Sequence, residues 1–99
     1  MMHYPKVVNL KNSPYDVYIG RGSIWGNPYT HIKNRVTLAS HIVKTRKEAV
    51  YFYKTYLLNN EELLNQLPSL IGKRLGCYCA PKLCHGHMII DVMQMKGII

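Results

Sequence analysis

The chain has 99 residues, of which 47% are hydrophobic and 18% are charged. This length is typical of one domain, and this hydrophobic fraction argues against an intrinsically disordered protein. Thirteen lysines and arginines against five acidic residues give a formal net charge of +8. Such an excess favours an anionic partner, which could be a nucleotide, a nucleic acid or an acidic protein. The few carboxylates leave little from which to build a paired-carboxylate hydrolase or a magnesium nuclease.

Membrane and secretion signals are absent from the sequence pattern. No apolar run approaches the roughly 18 residues that a membrane helix needs, and residues 1–10 lack the long apolar region of a signal peptide. We therefore expect no membrane partner and a cytoplasmic location. In that setting, the odd number of three cysteines favours free thiols or metal ligands over a disulfide framework.

The first third of the chain predicts short strands and a loop. Residues 6–10 and 15–20 are β-branched runs, and turn-forming residues separate them. A hairpin is possible, although nothing fixes whether the two runs pair. Residues 21–35 hold two glycines, a proline and two asparagines without a clean period, which predicts a long surface loop. Residues 36–43 are ambiguous between strand and helix.

The clearest predicted element is a helix over residues 45–58. Thr45 at the N-cap and Glu48 at N3 form a capping box. Five apolar residues then follow the period of one buried helix face. These are Ala49, Phe52, Tyr53, Tyr56 and Leu57.

The rest of the chain predicts a second short helix over 59–67, capped by Asn59 or Asn60. A strand over 73–79, a loop and a final helix over 85–95 follow. The order of strands and helices is typical of a small α/β domain, in which helices pack on a three- or four-stranded sheet. We expect a single domain that comprises residues 1–99.

All three cysteines lie in the segment GCYCAPKLCHGH, residues 76–87. Cys77 and Cys79 point to the same face of a strand because successive side chains alternate. The loop that follows can return Cys84 to this point, at or just before the start of a helix. Three sulfurs then converge, and Cys₃His is a known tetrahedral zinc set. Soft thiolates with imidazole favour zinc over magnesium or calcium.

Two histidines are candidates for the fourth ligand. His87 is the geometrically easier one, because it lies three residues after Cys84 on a helix. His85 is adjacent to Cys84, and adjacent residues rarely both donate to one ion. Two other interpretations stay open. Cys84 near Lys82 at a helix N-terminus has the features of a reactive thiolate, and buried cysteines can also be simple core residues.

The loop after the second predicted strand is a candidate ligand site. Arg21, Ser23, Trp25 and Asn27 supply a guanidinium, a hydroxyl, a flat aromatic face and an amide. In α/β sheets, loops at the carboxyl ends of strands build ligand sites. Arginine can clamp a phosphate and tryptophan can stack on a base. The alternative is that Trp25 anchors an ordered loop in the core.

Both segments together resemble the domain-of-unknown-function 4326 family of phage and bacterial proteins. The resemblance rests on YIGRGSIWGNP and LGCYCAPKLCHG and extends from Val7 to about Val92. It implies a compact α/β domain and no established activity. The matching motif residues are Asp16, Tyr18, Gly20, Arg21, Ser23, Trp25, Gly26, Asn27, Pro28, Cys77, Cys79, Pro81, Cys84, His85 and Gly86.

The sequence departs from the family pattern at two positions. Gly22 stands where a proline is common, and His87 stands where an aspartate is common. The second departure favours His85 as the fourth ligand, although an aspartate could also ligate zinc.

We therefore expect a phage-type protein whose three cysteines and one histidine bind zinc beside a loop that contacts an anionic or nucleotide-like ligand. One alternative is a non-enzymatic protein that uses its basic surface on nucleic acid or an acidic host protein. Another is a thiol enzyme that acts on a nucleotide or base, with Cys84 as the candidate catalytic residue. Whether the protein is an enzyme is left open.

Overall fold

Three parallel strands form the sheet at the centre of the structure, a computed structural model that describes residues 4–30 and 41–99. The strands of the described residues are β1 (Lys6–Asn9), β2 (Val17–Tyr18), β3 (Tyr29–Thr30), β4 (His41–Ile42) and β5 (Arg74–Cys77). The α-helices are α1 (Arg46–Leu58), α2 (Glu61–Gln66) and α3 (His85–Met95). Strand β5 lies between β1 and β2 and pairs in parallel with both. The α/β class predicted from the sequence is confirmed.

The hairpin considered for residues 6–20 is wrong. Strands β1 and β2 flank β5 instead of pairing with each other, with Val7 and Val17 both opposite Leu75. The buried strand β5 offers its two edges to the two outer strands, and this arrangement covers the fully buried Leu75 from both sides. A turn between residues 9 and 13, closed by hydrogen bonds to the Asn9 carbonyl, leads the chain away from β1.

Part of the predicted loop forms a second small sheet. In it, β3 pairs in parallel with β4, with Tyr29 opposite His41. The predicted loop 21–35 and the ambiguous segment 36–43 otherwise lie partly outside the described residues. No helix within 4–30 and 41–99 is long and apolar enough to cross a membrane.

Helix α1 begins at the predicted cap. The Glu48 N–H donates to Thr45 Oγ1 at 3.1 Å, but the Glu48 carboxylate accepts from the Lys44 N–H and not from that of Thr45. The buried face is also rotated from the predicted one: Val50 is buried, whereas Phe52 is 43% exposed. The rotation follows from packing, because α1 lies against α3 and against β3 of the second sheet.

Helix α2 is capped by Asn60, whose Oδ1 accepts from the Leu63 N–H at 3.2 Å. Asn59 is the C-cap of α1, so the choice between the two asparagines is resolved. Helix α3 begins after Cys84, as predicted. It packs closely on the sheet at Gly86, where an added Cβ would lie 2.7 Å from Ile19 Cδ1 and 2.9 Å from Val7 Cγ2. This contact brings the N-terminus of α3 to the carboxyl ends of the strands.

Candidate metal and anion site

A cavity of about 270 Å³ lies beyond the carboxyl ends of β2 and β5. Its wall includes Arg21 after β2, Arg46 at the start of α1, and Cys84 at the start of α3. The edge formed by the carboxyl ends of parallel strands is where α/β folds bind ligands. None of the described residues that line this cavity is Asp or Glu, so two guanidinium groups face it without a carboxylate partner in its wall.

The three cysteines converge at the inner end of this cavity. Cys77 is the last residue of β5, and the Cys84 thiol donates to the Cys77 sulfur at a distance of 3.1 Å. A hydrogen bond from the Lys82 N–H to the Cys79 carbonyl, at 2.9 Å, closes the intervening loop. All three line the cavity, and they are free thiols. The sequence-based expectation that the sulfurs come together agrees with this geometry.

Hydrogen bonds from the Cys84 thiol lower the pKa of both other cysteines. The pKa of Cys79 falls to about 5, because the Cys84 thiol and then the Arg46 guanidinium donate to it against the opposing effect of burial. The pKa of Cys77 falls to about 6, again chiefly through the hydrogen bond from Cys84. The pKa of Cys84 rises, because its proton is held between the other two sulfurs in a buried position. Cys84 has a single thiol proton to donate, so these shifts favour one thiolate within the cluster.

The ring of His85 is buried beside the cluster. Its Nε2 lies 2.6 Å from the Ile19 carbonyl oxygen, and a carbonyl can only accept, so Nε2 carries the proton. The Nδ1 lone pair then faces Cys84 Sγ at 3.5 Å. Burial is the main reason that the pKa of His85 falls to about 4, which keeps the ring neutral. A neutral imidazole with a free lone pair is the form that binds metals.

The ring of His87 has a different role. Its Nδ1 accepts from the Cys84 N–H at 3.0 Å, and together with the Cys84 side chain it forms a capping box at the start of α3. The sequence left the choice of fourth ligand open between the two histidines. In this geometry Nδ1 of His85 faces the sulfurs, whereas Nδ1 of His87 is used by the backbone.

Arg21 and Asn27 line the cavity and also hold the loop together. The Arg21 guanidinium donates from Nε to the Asn27 carbonyl at 3.1 Å and from Nη2 to the Tyr29 carbonyl at 2.7 Å. The Asn27 amide donates to the Ala49 carbonyl at 3.0 Å and accepts from the Tyr29 N–H at 2.9 Å. These bonds fix the Arg21 guanidinium in the cavity wall.

Ser23 and Trp25 do not line this cavity. The Ser23 hydroxyl donates to the Gly20 carbonyl at 2.6 Å, which tightens the turn. Trp25 is 3% exposed and belongs to the core, and its carbonyl accepts from the Tyr53 hydroxyl at 2.8 Å. Its ring has no open face for a base, so the alternative of a core anchor describes Trp25 better than ligand contact.

The residues of the cavity wall that the sequence did not mark as site candidates include Arg46, Tyr78 and Leu83. Arg46 follows a recognisable N-cap, but no local pattern says that α1 starts at the carboxyl edge of the sheet. Tyr78 should point away from its two cysteine neighbours if β5 continued. The strand instead ends at Cys77, so this alternation no longer applies, and Tyr78 lines the cavity with 58% of its surface exposed.

As the side chains stand, no group of three or more His, Cys, Asp and Glu residues within 4–30 and 41–99 is arranged to hold a metal ion. The sulfurs are in hydrogen-bonding contact with one another and are not spaced around a common centre. The structure thus shows a compact thiol cluster with an adjacent imidazole, at the inner end of a cavity lined by two arginines.

The fold and this motif cluster define a small α/β domain of a family without an assigned activity. The family described as a domain of unknown function, DUF4326, matches residues 4–95, and the chain belongs to it. The chain is similar to an uncharacterized 12.4 kDa protein of the nrdA-td intergenic region of Enterobacteria phage T4. The two are 33% identical over 93 residues, which are 90% of this chain and 77% of the relative. No solved structure matches the chain.

Proposed function

We propose that the protein is a zinc-stabilised module that binds a small anionic ligand at the carboxyl edge of its sheet. Cys77, Cys79, Cys84 and His85 are the zinc ligands, and Arg21 and Arg46 contact the anion. The single observation that supports this proposal best is the convergence of three sulfurs and an imidazole nitrogen beside an arginine-lined cavity. The donor set Cys₃His is one that tetrahedral zinc sites use.

The orientation of His85 supports the metal site. Metal-binding histidines usually donate the second ring N–H to a carboxylate or a backbone carbonyl, which fixes the ring and its tautomer. The contact between His85 Nε2 and the Ile19 carbonyl oxygen, 2.6 Å long, has this form. It leaves Nδ1 as the coordinating atom.

The distances require a small rearrangement of the sulfurs. Tetrahedral zinc with Zn–S bonds of about 2.3 Å places sulfur atoms about 3.8 Å apart, which is about 0.7 Å more than the 3.1 Å between Cys77 and Cys84. With Zn–N bonds of about 2.0 Å, the expected S–N separation is about 3.5 Å, and His85 Nδ1 lies 3.5 Å from Cys84 Sγ. Loss of the shared thiol proton on metal binding removes the reason for the short sulfur contact.

Four protein ligands leave no open position on the zinc. A closed site of this kind stabilises the fold and does not activate water. Any ligand binding then depends on the cavity. Its described lining residues include two arginines and no Asp or Glu, and this favours an anion. Arginine suits a phosphate or carboxylate because its planar fork can donate two parallel hydrogen bonds.

Cobalt(II) spectroscopy tests the metal site. Cobalt(II) added to metal-free, reduced protein should give the strong visible bands and sulfur-to-metal charge-transfer bands of a tetrahedral thiolate site. Cys84→Ser should weaken both sets of bands. Weak bands of an octahedral ion in the wild-type protein would contradict the proposal, and this result does not depend on whether the variant folds.

Phosphate binding tests the anion site. Inorganic phosphate should bind to the zinc-loaded protein in calorimetric titrations, and Arg46→Gln should weaken it. Lys47→Gln is the matched control, because Lys47 is the exposed next residue of α1 and does not line the cavity. Equal losses in the two variants would mean that only the general positive charge attracts the anion.

A thiol enzyme is the second candidate, favoured by the contact of Arg46 with Cys79 in the cavity wall. The nucleophile would be Cys79 and not Cys84, the candidate from the sequence, because the pKa of Cys84 is raised by its hydrogen bonds to the other two sulfurs and by burial. In such an enzyme the Cys79 thiolate donates its electron pair to an electrophilic carbon of the substrate and forms an S–C bond. The leaving group departs with the electron pair of the bond that breaks, and water then displaces the sulfur.

Alkylation with iodoacetamide separates the zinc site from the thiol enzyme. Cys79 of a zinc site reacts slowly until the metal is removed, whereas a catalytic thiolate reacts fast in freshly purified, metal-free protein.

A further inference from the structure

Tyr78 gives the cavity an aromatic wall next to its charged one. Tyr78 lines the cavity and is 58% exposed, although an exposed aromatic ring loses the free energy that burial would supply. Lys11 Nζ lies 5.8 Å from the centroid of the Tyr78 ring. Lys11 is not part of the cavity wall and occupies one face of the ring, so a stacked ligand would use the other face. Leu83, which is 37% exposed, adds an apolar residue to the same cavity wall.

We infer that the anion bound in this cavity is a nucleotide, whose phosphate contacts Arg46 and Arg21 and whose base stacks on Tyr78. This inference rests on the proposed function, because it takes the anion site as given and names its ligand class. A flat π-surface beside guanidinium groups matches a molecule that carries both an aromatic ring and a phosphate. Base stacking on an aromatic side chain tolerates any base, since every base has a π-face.

The size of the cavity limits the ligand to about one nucleotide. Drug-sized ligands occupy pockets of about 300–1,000 Å³, and this cavity has a volume of about 270 Å³. A longer strand could place only one of its nucleotides inside. The chemistry recognised is therefore the same for a free mononucleotide and for the terminal nucleotide of a single strand.

The test compares nucleoside 5′-monophosphates with ribose 5-phosphate, which has the same phosphate and sugar but no base. With the zinc-loaded full chain, calorimetric titration should show that at least one of the four monophosphates binds more tightly than ribose 5-phosphate, by about 5- to 150-fold. Tyr78→Leu should remove this advantage and leave the affinity for ribose 5-phosphate unchanged. Tyr78→Phe keeps the ring and should keep the advantage.

Two controls make the outcome specific. Tyr51→Leu removes another exposed tyrosine, 48% exposed on α1 and outside the cavity wall, and should not change nucleotide affinity. Arg46→Gln should weaken the binding of nucleotide and of ribose 5-phosphate alike.

A single-stranded hexanucleotide with a 5′-phosphate separates a strand end from a free nucleotide as the ligand. Tighter binding than the mononucleotide indicates a strand end, and weaker binding indicates a free nucleotide.

The possible failures are distinct. If ribose 5-phosphate binds as tightly as every monophosphate, or if Tyr78→Leu has no effect, the nucleotide inference is overturned while the anion site stands. If neither phosphate nor any of these esters binds, the proposed function fails together with the inference.

Discussion

Nε2 of His85 lies 2.6 Å from the carbonyl oxygen of Ile19, and this contact decides how the ring faces the three cysteines. Ile19 directly follows β2 and is fully buried, so the carbonyl is held rigidly at the carboxyl edge of the sheet. The ring is held in turn between this carbonyl and Cys84, with Nδ1 toward the sulfurs. The backbone of the sheet thus orients a side chain of the first turn of α3.

This orientation predicts that the two histidines respond differently to the same substitution. His85→Gln removes the nitrogen that we propose binds zinc and should lower the zinc affinity by at least about 10-fold. Loss of a residue that only supports a metal ligand already costs about that much. His87→Gln should leave zinc affinity within a factor of two, because glutamine is a normal N3 residue of a capping box. Competition titration with a zinc indicator measures both affinities. The reverse order of the two effects would make His87 the ligand.

Tyr53 should contribute to stability through its hydroxyl. This side chain is fully buried, its hydroxyl donates to the Trp25 carbonyl at 2.8 Å, and burial raises the pKa of Tyr53 so that the hydroxyl stays protonated. Tyr53→Phe leaves a buried carbonyl without this donor, which should lower the free energy of unfolding by about 1–3 kcal/mol.

Urea unfolding measures the Tyr53→Phe effect, and Tyr51→Phe is the matched control. Tyr51 lies on the same helix and is 48% exposed, so its loss of a hydroxyl should change the free energy of unfolding by no more than about 0.5 kcal/mol. Similar effects in the two variants would mean that the bond to the Trp25 carbonyl contributes little.

Gly86 should be required for the close packing of α3 on the sheet. An added Cβ would lie 2.7 Å from Ile19 Cδ1 and 2.9 Å from Val7 Cγ2, so α3 or these two side chains would have to shift. Gly86→Ala should therefore destabilise the fold by about 1–3 kcal/mol, despite the better helix propensity of alanine. Gln94→Ala, at an exposed position of the same helix, should be neutral in the same urea experiment. A stabilised Gly86→Ala variant would contradict the packing described here.

Asp16 should make stability depend on pH in the acid range. Two hydrogen bonds from the Arg74 guanidinium, at 3.0 Å each, and one from the Arg74 N–H, at 2.8 Å, are the main reason that the pKa of Asp16 falls from 3.8 to about 2. A carboxyl whose pKa is lower in the folded state stabilises the fold above its unfolded pKa, and this stabilisation disappears as the pH falls through the folded value.

Melting temperatures measured between pH 5 and pH 2 test this linkage. The wild-type melting temperature should fall over this range, and Asp16→Asn should make the fall shallower while lowering the melting temperature at pH 5. Arg74→Gln should have a similar effect because it removes the partner. The same slope in the wild-type protein and in Asp16→Asn would show that the pair does not contribute to acid stability.

Local sequence signals predicted the helices better than the sheet. The cap at Thr45 fixed the start of α1, and the cap at Asn60 lay within the predicted pair. Strand order has no local signature, because Val7 and Val17 meet only through Leu75, far along the chain. A turn between two β-branched runs therefore suggested a hairpin that does not form.

The candidate site was predictable where it depended on spacing and not where it depended on tertiary packing. The short return loop was enough to predict that Cys84 meets Cys77. The strand alternation invoked for Cys79 does not hold, because β5 ends at Cys77. The contributions of Arg46 and Tyr78 depend on where α1 begins relative to the sheet and on where β5 ends. For Trp25, ligand contact and a core role were equally compatible with the sequence, because an aromatic residue in a glycine-rich loop suits both.

The zinc content of the purified protein is the sharpest test of the proposed metal site. Elemental analysis would use reduced protein purified without a histidine tag and without added metal. The proposed Cys₃His site should hold about one zinc per chain, retained in His87→Gln and lost in Cys77→Ser and His85→Gln. A freshly purified wild-type protein with no zinc, and with none taken up when zinc is supplied to the reduced chain, would contradict it. The cluster would then act as a thiol centre or as part of the core.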